Sequence, residues 1–278
     1  MNLMPYLRPI RSPWFRNDAP RPLARARIVC LPHAGGTAGF FRGWAAQLPD
    51  EVELLAVQYP GRDERIDDAL IDAMPAMAGQ LADAVADIAD RPYLLFGHSM
   101  GAAIAYELCV ELLGRGTRLP RRLVVSAHEP PHRHRPGHWH TAGDAELCDE
   151  IVRIGGTASS LRTSDDLRAL VMPIVRNDYR LIETYRAVAD PVRLPLPIDV
   201  FIGRDDGEVT REDARDWQYL TSRDCTLREF DGGHFYLRRH AGAVIANLLA
   251  GLPDVLQAAD FRMLGTTGGI ASPGVPPP

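Results

Sequence analysis

The segment Tyr93–Ala105, YLLFGHSMGAAIA, constrains the fold more than any other stretch. A short apolar run, Tyr93 to Phe96, ends in Gly97-His98-Ser99-Met100-Gly101, and an Ala-rich stretch of helical character follows. Strand, sharp turn, helix is the context in which a G-x-S-x-G serine is held on a strained backbone and exposed. Gly97 and Gly101 flank the turn because a Cβ at either place would collide with a neighbouring strand or helix. The turn presents the Ser99 hydroxyl. It also aims the first backbone N–H groups of the helix at any negative charge that develops there.

Around this segment, β-type runs alternate with helical ones. Arg27–Leu31, Glu53–Val57, Arg122–Ser126, Ile198–Ile202 and Thr226–Phe230 read as strands. Phe40–Leu48, Met74–Ile88, the stretch after Ser99 to about Leu113, Arg211–Leu220 and Ala241–Leu249 read as helices. The alternation predicts an α/β fold with a mostly parallel sheet covered on both faces. With 278 residues, 46% of them hydrophobic, the chain can build one large domain. The expected boundaries are an irregular N-terminal arm over 1–25, the α/β domain over 26–252 and a flexible Gly/Pro-rich tail over 253–278. Between the strands Arg122–Ser126 and Ile198–Ile202 the pattern breaks. A Pro/His/Arg-rich loop, Glu129–His140, leads into helical segments at Asp144–Ile154 and Asp165–Val188, read as an insertion over the sheet at about 130–190.

Several function classes are excluded on composition. A net charge of −5 argues against a nucleic-acid partner. All 31 basic residues are arginine, a coding bias and not chemistry. Pro5, Arg8, Pro9 and Arg11 interrupt any N-terminal apolar core, and no stretch suits a membrane span, so a soluble cytoplasmic protein is expected. Cys30, Cys109, Cys148 and Cys225 are scattered and read as reduced thiols.

A serine hydroxyl needs a general base, and the base needs an orienting acid. Both candidates follow a strand directly, where rigid scaffold meets loop. After Ile198–Ile202 comes Gly203-Arg204-Asp205-Asp206; after Thr226–Phe230 comes Asp231-Gly232-Gly233-His234. Ser, Asp, His is the chain order of the α/β-hydrolase triad. Nine histidines compete for the base. His98 neighbours Ser99 but points elsewhere, His33 could line the site, and His240 is a solvated face residue. Only His234 has the strand–Gly-Gly–His setting. Asp206 is preferred to Asp205, which reads as a solvated turn residue. The oxyanion donors are then the backbone N–H of Met100 and, from the loop after the first core strand, that of Ala34. His132, His134, His138 and His140 invite a metal reading, but no carboxylate or cysteine is arranged with them. The loop reads as open and cationic, solvated or touching a phosphate or a carrier, with no metal and no cofactor implied.

Taken together, Pro32-His33-Ala34-Gly35-Gly36, Tyr59-Pro60-Gly61-Arg62, Phe96–Gly101, Ser126 with Glu129-Pro130-Pro131, Ile154-Gly155-Gly156, Arg176-Asn177-Asp178-Tyr179 and Phe230–His234 resemble the type II thioesterases. These are α/β-hydrolases that accompany polyketide synthases and nonribosomal peptide synthetases. The resemblance runs from about Ile28 to Leu249. It implies hydrolysis of acyl thioesters on the phosphopantetheine arm of acyl- or peptidyl-carrier proteins, clearing misprimed or stalled chains. It puts nucleophile, acid and base on Ser99, Asp206 and His234, and oxyanion donors on Ala34 and Met100. It makes the insertion a helical lid, with Leu161, Leu170, Met172 and Ile174 read as lid core. His33 stands where an aromatic such as Phe is frequent, which bears on the entrance. A monomer is expected. Three other readings compete: a carboxylesterase or lipase of the same fold, a non-catalytic member that binds carriers or ligands, and an acyltransferase or cyclising thioesterase. The expected free-standing length favours simple hydrolysis over the last.

Overall fold

A computed structural model of the chain describes residues 10, 12–155, 161, 164–187 and 190–252. The expected tail, most of the first ten residues, and Gly156 lie outside the described residues.

The sheet has seven strands: β1 (Phe15–Arg16), β2 (Ala26–Leu31), β3 (Val52–Val57), β4 (Tyr93–His98), β5 (Arg122–Ser126), β6 (Ile198–Gly203) and β7 (Cys225–Phe230). Their spatial order is β1-β3-β2-β4-β5-β6-β7, with β1 antiparallel to β3 and every other pair parallel. Every residue of β2, β3, β4 and β6 is buried. Strands covered on both faces need apolar residues on both, so these read as near-continuous hydrophobic runs without polar alternation.

The helices are α1 (Met74–Ala86), α2 (Met100–Gly114), α3 (Asp144–Arg153), α4 (Asp165–Glu183), α5 (Arg211–Arg215) and α6 (Ala241–Ala250). Successive side chains of a strand point to opposite faces, so the core divides in two. On one face Leu95 and Val125 meet Leu81 and Val85 of α1 and Ile104 and Leu108 of α2. On the other, Leu94 and Phe96 meet Phe41, Trp44 and Ile245 and Leu248 of α6. A third, smaller cluster of Leu147, Cys148, Leu161, Met172 and Val175 lies within the insertion, where α3 and α4 pack together.

The central strand β2 has β3 on one side and β4 on the other. The strand order therefore reverses direction there, and the crevice at the carboxyl ends of β2 and β4 is where an open α/β sheet forms its site. The loop with Ala34 follows β2 and Ser99 follows β4. This is the α/β-hydrolase arrangement that the sequence predicts.

Three stretches depart from expectation; one is the predicted helix Arg211–Leu220, which is α-helical to Arg215 and a 3₁₀ turn over Asp216–Leu220. The arm over 1–25 is not irregular throughout, because Phe15 pairs with Val57 and Arg16 with Ala56 to extend the sheet. Trp14 and Phe15 are buried with the core, and the Arg21 guanidinium donates to the carbonyls of Ala45, Leu48 and Val52 at 2.8–2.9 Å. The predicted helix Phe40–Leu48 is two short 3₁₀ turns, Ala38–Phe41 and Ala45–Gln47. Gly43 between them sits at φ +90°, which no α-helix accommodates. Among the described residues no helix is long and apolar enough to cross a membrane, and all four cysteines are free.

Candidate active site

Ser99 occupies the turn between β4 and α2 with φ 54° and ψ −123°, a strained combination for a residue with a side chain. The turn closes so tightly that its two glycines are obligatory. A Cβ on Gly97 would sit 2.1 Å from the Gly101 carbonyl oxygen, and one on Gly101 would sit 2.3 Å from that of Leu31. The Ser99 N–H donates to the Ser126 carbonyl at 2.7 Å, which pins the turn to β5.

The loops after β6 and β7 are pressed together in the same way. A Cβ on Gly203 would lie 2.4 Å from the carbonyl oxygens of Gly232 and Gly233. Asp205 N–H donates to the Gly232 carbonyl at 3.0 Å. This contact brings Asp206 and His234 face to face. His234 Nδ1 lies 3.2 and 3.1 Å from the two Asp206 carboxylate oxygens, and its Nε2 lies 3.0 Å from Ser99 Oγ. The Asp206 carboxylate is fully enclosed and also accepts the Glu208 N–H at 2.9 Å. Asp205 is exposed. The five residues singled out from the sequence thus converge. Ala34, Ser99, Met100 and His234 line one cavity of about 500 Å³, with Asp206 behind the ring.

The insertion roofs this cavity with Ile151 of α3 and Val171, Val175, Tyr179 and Ile182 of α4. Of the apolar residues expected as lid core, Met172 packs with Leu147 and Cys148. Leu161 belongs to that cluster and also lines the cavity, whereas Leu170 is exposed.

The other histidines separate cleanly. His98 is fully buried and turns away from Ser99, its Nδ1 2.9 Å from Ser126 Oγ, which is 2.7 Å from the Tyr236 hydroxyl. Burial, with His234 and His33 adding repulsion, pushes the His98 imidazolium well below the usual range. His33 lines the cavity with its ring edge-on to Phe40 and Phe235 at 4.6 and 4.8 Å. Burial first, then the charges of His234, Arg238 and Arg62, lower its pKa to about 3, so it serves as a neutral aromatic ring. His240 is half-buried at the start of α6, beside Phe230.

The His-rich loop is open in part: His132, Arg133, Arg135, Pro136 and His138 are exposed, but its end is anchored. The buried Glu183 carboxylate accepts Trp139 N–H and His140 N–H, both at 2.9 Å, and lies 2.6 Å from His140 Nδ1. Arg133 pairs with Asp216 at 2.7 Å and Arg135 with Asp213 at 2.9 Å. A carboxylate does join the histidines here. His128, Glu129 and His134 bring three potential ligand atoms within 4.8 Å of one another. Yet both Nδ1 atoms are engaged by Glu129, that of His128 at 2.6 Å from its carbonyl and that of His134 at 3.2 Å from its carboxylate. Burial alone would raise the Glu129 pKa; the adjoining His128 and the hydrogen bond from His134 outweigh it and hold the group at about 2. Glu129 thus links the two rings through their Nδ1 atoms, while His134 Nε2 is buried with no hydrogen-bond partner.

Sequence reasoning assigned no role to Arg62, Asp178 or Glu183, all buried beside the site. One signal was present. Met172, Val175, Asp178 and Leu181 recur at helical spacing on the buried face of α4, and an acid inside an apolar stripe demands a partner.

The thioesterase domain family matches residues 26–252. A probable cadicidin biosynthesis thioesterase of Streptomyces griseus is 35% identical over 242 residues, 87% of this chain and 66% of that protein, so the chain spans just under two thirds of this relative. The thioesterase PikA5 of Streptomyces venezuelae is 34% identical over 225 residues, 81% of this chain and 80% of PikA5. The structure of the type II thioesterase BorB from the borrelidin biosynthetic cluster superposes with a TM-score of 0.79 at 39% identity, covering 86% of this chain and 97% of that one. Matched by the family over its whole α/β core and by BorB over nearly all of BorB's length, the chain belongs to the thioesterase domain family, among the type II thioesterases.

Proposed function

We propose that the protein is a serine thioesterase that hydrolyses acyl thioesters on the phosphopantetheine arm of acyl- or peptidyl-carrier proteins, clearing misprimed or stalled chains from polyketide or nonribosomal peptide assembly lines. The observation that carries the reading is His234, whose ring spans the 3.0 Å to Ser99 Oγ and the 3.1 Å to Asp206 beneath an apolar-roofed cavity. The likeness to thioesterases of antibiotic biosynthesis supports the carrier-linked substrate.

In this reading His234 Nε2 takes the Ser99 proton as Oγ attacks the acyl carbonyl. Asp206 keeps the other proton on Nδ1 and stabilises the imidazolium. The backbone N–H groups of Met100 and Ala34 receive the oxyanion. Collapse expels the pantetheine thiol, which takes its proton from His234, and water activated by the same ring then cleaves the acyl-enzyme. Val171, Val175 and Ile182 give the acyl chain an apolar wall. Every group comes from one chain, so a monomer suffices.

Thiol release from a panel of acyl-carrier thioesters, with wild type and Ser99→Ala side by side, tests this. Release by the wild type that disappears in Ser99→Ala supports it. Wild-type activity on matched oxyesters but on no thioester would overturn it in favour of an esterase.

A further inference from the structure

The loop that carries Ala34 is gripped by two residues remote in sequence. Gly35 N–H donates to Asp178 Oδ2 at 2.7 Å. Arg62 donates to the same oxygen from Nη1 at 2.6 Å and to Oδ1 from Nη2 at 2.8 Å. Arg62 Nη1 also reaches the Gly36 carbonyl at 3.1 Å, and the Tyr59 hydroxyl donates to the Pro32 carbonyl at 3.1 Å. The backbone is thus tied at Pro32, Gly35 and Gly36, on both sides of Ala34. The ion pair is desolvated, with the Asp178 side chain fully buried and that of Arg62 only 3% exposed.

Two features assign this grip to positioning. First, a buried ion pair is a poor source of net stability, because desolvation of both charges offsets their attraction. What it does supply is geometry: one carboxylate accepts three N–H groups at fixed angles, and an amide oxygen in its place could not. Second, the loop leans on the same helix one turn earlier. Gly35 adopts φ +70°, and a Cβ there would lie 2.8 Å from Val175 Cγ2. The helix is α4, which belongs to the insertion and not to the sheet. The loop that completes the site is therefore held by the element that roofs it.

We propose that Asp178 is a positioning residue for the oxyanion hole: from α4, and together with Arg62, it fixes the Gly35 and Gly36 peptides so that the Ala34 N–H is aimed at the developing oxyanion. This rests on the reading of Ala34 as the second donor. It follows that the reaction requires α4 docked on the loop.

The test uses Asp178→Asn and the double variant Asp178→Leu/Arg62→Met, which leaves no unpaired buried charge and so keeps the fold. Three quantities are read: kcat and KM for an acyl-pantetheine thioester, the affinity of a boronic acid that forms a tetrahedral adduct with Ser99, and the affinity of a non-hydrolysable thioether analogue. Loss of one oxyanion donor costs ~10²–10³ in rate, so kcat in the double variant is expected to fall by about 10²-fold with KM nearly unchanged. Boronate affinity should fall in parallel and thioether affinity should hold, because the donor acts on the tetrahedral state and not on the ground state. A merely structural role predicts that the refolded double variant recovers wild-type kcat and boronate affinity; that result overturns the proposal, as does an equal loss of thioether affinity. Boronate affinity needs no substrate. If thioesters prove inert but the variants still lose boronate affinity, positioning stands and the reading of the substrate falls.

Discussion

Replacing Asp206 by Asn should remove the base without disturbing the site, and the reason lies in a single backbone N–H. The carboxylate serves two donors: Oδ1 accepts Glu208 N–H at 2.9 Å, and both oxygens face His234 Nδ1 at 3.1–3.2 Å. Asparagine keeps the shape but has one oxygen. Leaving the part-buried Glu208 N–H without its acceptor costs up to ~1–3 kcal/mol, so the amide oxygen stays with Glu208 and the NH₂ turns to Nδ1. The ring must then accept at Nδ1 and carry its proton on Nε2, aimed at Ser99 Oγ. A ring in that tautomer cannot take the serine proton. The loss expected from a wrong tautomer is ~10⁴ in kcat, about 5.4 kcal/mol on the barrier. Steady-state kinetics on an acyl-pantetheine thioester should give that fall with KM within about threefold, since the interaction lost is made in the transition state. Asp205→Asn is the control: Asp205 is exposed, and its kcat should stay within about twofold of wild type. Asp206→Asn with more than a tenth of wild-type kcat, or a collapse in Asp205→Asn instead, would refute the assignment.

Two further expectations follow from buried groups. Glu183→Ala strips the acceptor from Trp139 N–H and His140 N–H, which should cost roughly 2–5 kcal/mol and lower the melting temperature by roughly 5–15 °C. Scanning calorimetry that finds no drop would mean that the loop is anchored by other contacts. Acid should also destabilise the fold, because His98 and His33 are held neutral by burial with pKa values below the unfolded value. Below the unfolded pKa of ~6.5 the unfolded chain binds protons that the folded chain does not, so this contribution is complete above pH ~6.5 and fades as pH falls. The slope is ~1.4 kcal/mol per pH unit for each ring, or roughly 2 kcal/mol per ring by pH 5, and urea unfolding at pH 5 and 7 that gave equal stabilities would contradict it.

The sheet was legible because doubly covered strands announce themselves. ARIVCL and VELLAV are buried throughout, and such runs have few other ways to fold. Ser99, Asp206 and His234 were legible for a related reason: each follows a strand within a few residues, and glycines mark where the loops must touch. Gly97, Gly101 and Gly203 each leave no room for a Cβ. Phe15–Arg16 was not legible, since a two-residue strand between prolines and arginines has no periodicity, and its place depends on the free edge of β3. Nor was the anchoring of the His-rich loop, because Glu183 lies more than 40 residues from the N–H groups it holds. Local composition reported only the loop's own charges, while Asp213 and Asp216, which neutralise its arginines, come from the far side of the insertion.

Arg62 and Asp178 mark the boundary between what a sequence carries and what a fold creates. They are 116 residues apart, and nothing in either local segment names the other as its partner. Yet an aspartate inside the Met172–Leu181 stripe cannot stay charged and buried alone, because an isolated carboxylate would neutralise or pull the helix outward. The stripe therefore demands a cation from another element. A loop at the carboxyl end of β3, next to β2 in the sheet, is within reach of an insertion that roofs the same crevice. Arg62 lies in that loop. The demand is readable in one dimension, and the topology restricts which partner meets it. What the fold alone adds is the third member, the peptide beyond Ala34, and with it the dependence of the reaction centre on a helix that belongs to its roof.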